Sequence, residues 1–220
     1  MHEIYQVPLW FLKLDIAMEL IFAVITLLVC LYSFKIYKLA EQRQSKIFGI
    51  SFLLISLSYF VRFIISTIMA FKLNTSFLNP NVLYNLNYLS NIGIYVYMLL
   101  FIAGLLTLTY MTFKTKNFEV YILLLITIIL AIVFSFNALY VFYILFYILL
   151  AFILVYYLQN YIKSKNKKTF IVLAAFSLLF LSSIYFMIPG NNIIYYMISH
   201  FFELMAYLLI LTDLIIIIKK

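Results

Sequence analysis

His200 and Glu203 stand three residues apart in the stretch "SHFFELMAYLLILTDLIIIIKK", whose other residues are mostly apolar. That spacing puts both side chains on one face of a helix. An imidazole beside a carboxylate can pass a proton, hold a cation or ligate a metal. Glu19 in "IAMELIF" and Arg62 in "YFVRFII" are set in equally apolar surroundings. Ionisable groups in such places are costly unless they pair with one another or serve a pathway or a ligand. Glu19, Arg62, His200 and Glu203 are therefore the candidate ligand-binding or proton-relay residues. Tyr207 joins them because Tyr196, His200, Glu203 and Tyr207 form one helical stripe.

The elements that must position these residues are membrane helices. The chain has 220 residues, 68% of them hydrophobic and 10% charged. A water-soluble domain is closer to half apolar and a quarter charged, so this composition leaves too little polar surface for an aqueous fold. Seven apolar segments follow one another: Ile16 to Leu39, Ile47 to Phe71, Asn91 to Phe113, Val120 to Phe136, Leu139 to Ile162, Phe170 to Ile188 and Ile193 to Ile218. Each reaches the roughly 17 to 25 residues that a helix needs to cross a bilayer core. Runs such as "ILLLITIILAIVF" do not alternate as barrel strands do. The expected fold is all-α, a single seven-transmembrane-helix bundle over residues 1–220. The stretch "LNTSFLNPNVLYNLNYLS" between the second and third segments reads as a long loop that partly caps the bundle.

Charge gives the orientation. Twelve of the 15 basic residues stand near or beyond the ends of the first, third, fifth and seventh segments, and only Lys13 and Lys72 mark the other side. Positive loops stay cytoplasmic, so the amino terminus is expected outside and the carboxyl terminus inside, in the cell membrane. The net charge of +8 then needs no nucleic acid, because a positive inner face meets anionic lipid. The single Cys30 allows no internal disulfide.

Depth along the helices brings the candidate residues together. Glu19 lies sixteen residues before Lys35, Arg62 sixteen after Lys46 and Glu203 sixteen before Lys219, which at ~1.5 Å per residue puts all three about 24 Å from the basic boundary. Tyr147 lies sixteen residues before Lys163 and shares the layer, with Ser182, Ser183 and Tyr185 close to it. Asp15, Glu19 and Thr26 form the matching stripe on the first segment, and Ser51, Ser58, Arg62 and Ser66 that on the second. In a closed bundle the first, second and seventh helices are neighbours, so Glu19, Arg62 and Glu203 can meet. One Arg against two Glu leaves an excess of negative charge unless a carboxyl holds a proton or His200 is cationic. A proton or a cation is the natural third party. Asp213, six residues before Lys219, is expected to reach toward water instead.

Sharper chemistries fit poorly. A retinal Schiff base needs a lysine in the seventh helix, and none precedes Lys219. A bis-histidine haem is excluded because His2 lies in the outer tail. Ser51 and His200 sit at different depths, so they form no hydrolytic pair. Zinc on His200, Glu203 and Glu19 would have Arg62 beside it, and seven-helix metal hydrolases of the ceramidase and adiponectin-receptor type, whose topology this plan resembles, use several histidines. No catalytic residue, metal or cofactor is assigned.

The outside-in plan, the basic turn "KIYKLAEQRQSK" and the closing "HFFELMAYLLIL" carry a resemblance to stand-alone seven-helix membrane proteins of archaea and bacteria, and to the seven-helix sensory regions that precede kinase or cyclase domains. That resemblance implies a sensor or receptor whose outer-half cavity reads a small ligand, a lipid or protons. It also implies output through a separate cytoplasmic partner, since no soluble domain is expected here. The competing expectation is a small proton- or ion-coupled transporter that uses the Glu/Arg/Glu cluster.

Overall fold

A computed structural model of the chain describes residues 9–75, 80–113, 117–187 and 193–218. These contain seven helices: α1 (Leu9–Ala40), α2 (Arg43–Thr75), α3 (Pro80–Phe113), α4 (Phe118–Val133), α5 (Ala138–Ser164), α6 (Lys167–Met187) and α7 (Ile193–Ile218). Six are long and apolar enough to cross a membrane, and α4, at 16 residues, is the short one.

Packing arranges six of them in a closed ring. α1 packs on α2, α2 on α3, α3 on α5, α5 on α6, α6 on α7 and α7 back on α1, while α4 touches only α3 and α5. Tyr97 meets Phe142, Phe101 meets Phe146 and Phe113 meets Phe152, so α3 and α5 run parallel. The chain between them must return over the height of the bundle. At ~1.5 Å per residue α4 supplies about 24 Å of that return, along the outside of the ring. α1 and α7 are likewise parallel, since Asp15 meets Tyr196 and His200 while Phe22 meets Tyr207. Closing a ring whose sequential neighbours alternate in direction requires both parallel seams.

The side chains are sorted for lipid rather than water. Glu19, Ser51, Ser56, Ser58, Thr109, Ser199, His200, Glu203 and Asp213 are buried inside, whereas Leu20, Ile21, Val24, Leu28 and Leu31 of α1 are exposed outside. In lipid the outward face has no reason to be polar, and the inward face is where hydroxyls and charges find partners. Small residues and hydroxyls make the close seams. Ser56 Oγ donates to the Ala23 carbonyl at 2.8 Å and Ser33 Oγ to the Ser45 carbonyl at 2.8 Å, tying α1 to α2. Ser182 and Ser199 face each other at 2.9 Å between α6 and α7. Gly104 lets α3 lie directly on α2, for a Cβ there would stand 2.7 Å from Ile55 Cγ1 and 2.9 Å from the Ser51 carbonyl oxygen.

The helices outrun the apolar segments read from the sequence. α1 begins at Leu9 rather than Ile16, and α3 at Pro80 rather than Asn91, so most of the expected capping loop is helix. Hydropathy marks where lipid ends, while a helix continues as long as its own backbone bonds are made. Proline suits the first helical position because no amide hydrogen is needed there. α4 stops at Val133, three residues short of Phe136, where the Phe134 amide closes on the Leu130 carbonyl at 3.0 Å and Asn137 then caps α5 by accepting from the Tyr140 amide at 3.2 Å. Two-residue turns join α1 to α2 and α5 to α6, with Glu41 at φ 51° and Lys165 at φ 47° ending the preceding helices. Lys114, Lys116, Lys219 and Lys220, which helped to define the basic boundary, lie outside the described residues.

Candidate functional site

Five polar positions recur on the inward faces of α1, α2 and α7 at helical spacing: Asp15 and Glu19, Arg62, and His200 and Glu203. The ring closes these faces on one another near the lysine-poor end. Arg62 Nε donates to Glu19 Oε1 at 2.5 Å, and Ser66 Oγ donates to the same oxygen at 3.2 Å. Arg62 Nη2 donates to Tyr196 Oη at 3.2 Å, and the Tyr196 hydroxyl in turn donates to Asp15 Oδ1 at 2.8 Å. The guanidinium also lies over the Tyr97 ring, 5.2 Å from its centre, an arrangement that stabilises a cation electrostatically.

His200 stands between two carboxylates. Its Nε2 faces Asp15 Oδ1 at 3.2 Å and its Nδ1 faces Glu203 Oε2 at 3.5 Å. Glu203 in turn accepts from the Tyr59 hydroxyl, which lies 2.9 Å from that of Tyr207. The result is one line of polar contacts: Glu19, Arg62, Tyr196, Asp15, His200, Glu203, Tyr59, Tyr207. Because the imidazole uses opposite nitrogens for its two carboxylates, those groups cannot converge on one point. Among the described residues no three His, Cys, Asp or Glu side chains are placed to hold a metal ion.

Behind this line the ring encloses a cavity of about 330 Å³. All six ring helices contribute to its wall and α4 does not. Glu19, Arg62, Ser66, His200 and Glu203 form its polar side, and Phe101, Leu105, Leu108, Leu150, Phe176 and Leu179 its apolar depth. Glu19 is 1% exposed, and its Oε2 has no hydrogen-bond partner. One buried acceptor oxygen of the polar side thus has no hydrogen-bond donor.

The sequence-based candidates fall into two groups. Glu19, Arg62, His200, Glu203 and Tyr207 are brought together. Tyr147 is not part of the line: its hydroxyl donates to the Ser183 carbonyl at 2.5 Å in the α5–α6 seam, and it does not line the cavity. The depth count placed Tyr147 at the right height but could not say which way α5 turns it. Arg62 pairs with Glu19 rather than with Glu203, because α2 and α7 share no backbone packing and only long side chains cross between them. Asp213 does not reach water as expected. It is 5% exposed and faces inward at the opposite end of the bundle, near Tyr157 and Lys168, because α7 turns the same stripe inward along its whole length. Tyr59, Asp15 and Tyr196 complete the line and were not among the candidates. Asp15 carried a signal, its position four residues before Glu19, whereas a tyrosine in an aromatic-rich chain carries none.

In comparisons with known proteins, no family model, curated protein or solved structure matches this chain.

Proposed function

We propose that the chain is a sensor- or receptor-like membrane bundle whose ring cavity takes a small ligand, polar at one end and apolar over the rest. The observation that carries this reading is the cavity itself. Its volume of about 330 Å³ lies within the roughly 300 to 1,000 Å³ of small-molecule sites, with mostly apolar walls and a few convergent polar groups. A bundle built only for stability would fill such a space, since each void forfeits packing energy. In this reading the amino terminus faces outward, the polar end of the cavity lies in the outer half of the membrane, and a separate cytoplasmic partner reads the lysine-rich turns around Glu41 and Lys165.

The test is to extract the purified protein with organic solvent and to compare it with Leu105→Trp, which fills the apolar depth. A small molecule present at about one per chain in the wild type and missing from the folded variant is the expected result. Identical extracts from the two, together with no ligand-dependent rise in melting temperature, would count against the reading.

A second reading is supported by the unbroken polar line from Glu19 to Tyr207, which resembles the relays of proton-coupled carriers. It predicts proton flux in proteoliposomes that Glu203→Gln abolishes. Absent flux leaves the receptor reading standing.

A further inference from the structure

We infer that the ring cavity selects ligands with a cationic head, an alkylammonium-type group on an apolar body, over neutral or anionic molecules of the same shape. This rests on the cavity reading above and adds the charge class of its ligand.

The charges in and beside the cavity wall do not balance. Asp15, Glu19 and Glu203 can supply three negative charges, Arg62 one positive charge and His200 at most one. Even with the imidazole protonated between its two carboxylates, one negative charge is left over. The leftover has an address. Asp15 is met by Tyr196 and His200, and Glu203 by Tyr59 and His200. Glu19 spends one oxygen on Arg62 and Ser66, and its other oxygen is buried without a partner in a residue that lines the cavity.

A buried carboxylate oxygen in that position is an acceptor, so an incoming group must donate. A carboxylate or phosphate head would meet uncompensated negative charge, and an alcohol would leave that charge unbalanced. An ammonium both donates and neutralises. The surrounding wall suits it further, because the rings of Phe22, Tyr59 and Phe101 stand within the same cavity and aromatic faces attract cations. Below them Leu105, Leu108, Phe176 and Leu179 offer only apolar contact, which suits a short hydrocarbon body. A bare proton on Glu19 also satisfies the charge count, but it leaves the apolar depth unfilled.

The experiment is isothermal titration of the protein in nanodiscs of zwitterionic lipid with octylammonium, octanol and octanoate, each corrected by titration of empty nanodiscs. The three probes share one tail and differ only in charge. Saturable binding of octylammonium at about one per chain is expected, roughly tenfold to a hundredfold tighter than octanol, the range for a hydrogen bond to a charged group. Octanoate is expected to show none. Glu19→Gln, which keeps the side-chain shape, should bring octylammonium down to the level of octanol. If octanol or octanoate binds as tightly as octylammonium, the charge inference is overturned while the cavity reading survives. If no probe binds above the blank, the cavity reading falls as well. Because the probe comparison is made on the wild type, a misfolded variant would not obscure either outcome.

Discussion

At the scale of single residues, the Arg62–Glu19 pair decides how the polar line is held. Glu19 is almost wholly buried, with 2% of its side chain exposed against 33% for Arg62, and each is the other's nearest opposite charge. Removing one partner leaves a buried charge uncompensated, which costs about 3 to 5 kcal/mol, whereas replacing both by apolar residues of similar size is often close to neutral. Arg62→Met should therefore lower stability strongly, and Arg62→Met combined with Glu19→Met should recover most of the loss. Thermal unfolding in detergent of both single variants and the double variant checks this; equal losses in the double and the Arg62 variant would show that the pair does not couple. Asp15 and Glu203 differ from Glu19 in this respect, because hydroxyls and an imidazole reach them and no guanidinium does.

At the scale of elements, the ring depends on places where two helices come closer than side chains normally allow. Gly104 is the clearest, since an added methyl would run into Ile55 and into the backbone of Ser51. The Ser51 carbonyl cannot yield without moving α2, so Gly104→Ala should cost about 1 to 3 kcal/mol, the usual penalty for overpacking. Gly49 makes an internal control: a methyl there meets only the Phe34 ring at 3.4 Å, an ordinary contact, so Gly49→Ala should be close to neutral. Chemical denaturation of the two variants side by side separates them, and equal midpoints would mean that α2 and α3 are not held at this seam. α4 obeys a different logic. It has one buried residue, Ile132, and contacts only α3 and α5, so its outward face is tuned to lipid rather than to the bundle. Its sequence pattern looked like that of the other spans because lipid exposure and core burial both demand apolar residues.

At the scale of the whole molecule, six helices closed in a ring with a seventh running back outside place the α1–α2 and α5–α6 turns at one end and the α4–α5 connection at the other. Single cysteines introduced at Gln42, Asn166 and Asn137, in a Cys30→Ser background, make this measurable, because Cys30 is itself buried. In sealed cells a membrane-impermeant thiol reagent should label Asn137→Cys, and it should reach Gln42→Cys and Asn166→Cys only after the membrane is opened. Labelling of Gln42→Cys and Asn137→Cys from one side and of Asn166→Cys from the other would mean that α4 does not cross. Reversal of the pattern would leave the fold intact and invert its orientation.

Several features were determined by the sequence alone: that the chain is helical and apolar enough to span a membrane, that it forms seven helices, and that Glu19, Arg62 and Glu203 lie at one depth. Each of these follows from quantities counted along one chain, namely apolar length, residue spacing and the position of lysines, which a regular rise per residue turns directly into height. The tertiary structure decided the rest, because height says nothing about azimuth. It assigned Arg62 to Glu19, put His200 between Asp15 and Glu203, brought Tyr59 into the line, turned Tyr147 into the α5–α6 seam and drew Asp213 inward. It also left α4 outside the ring. Which helices become neighbours, and which face each presents, is settled by how all seven pack at once. The cavity, and the one buried oxygen of Glu19 left without a hydrogen-bond partner in its wall, exist only as a result of that packing.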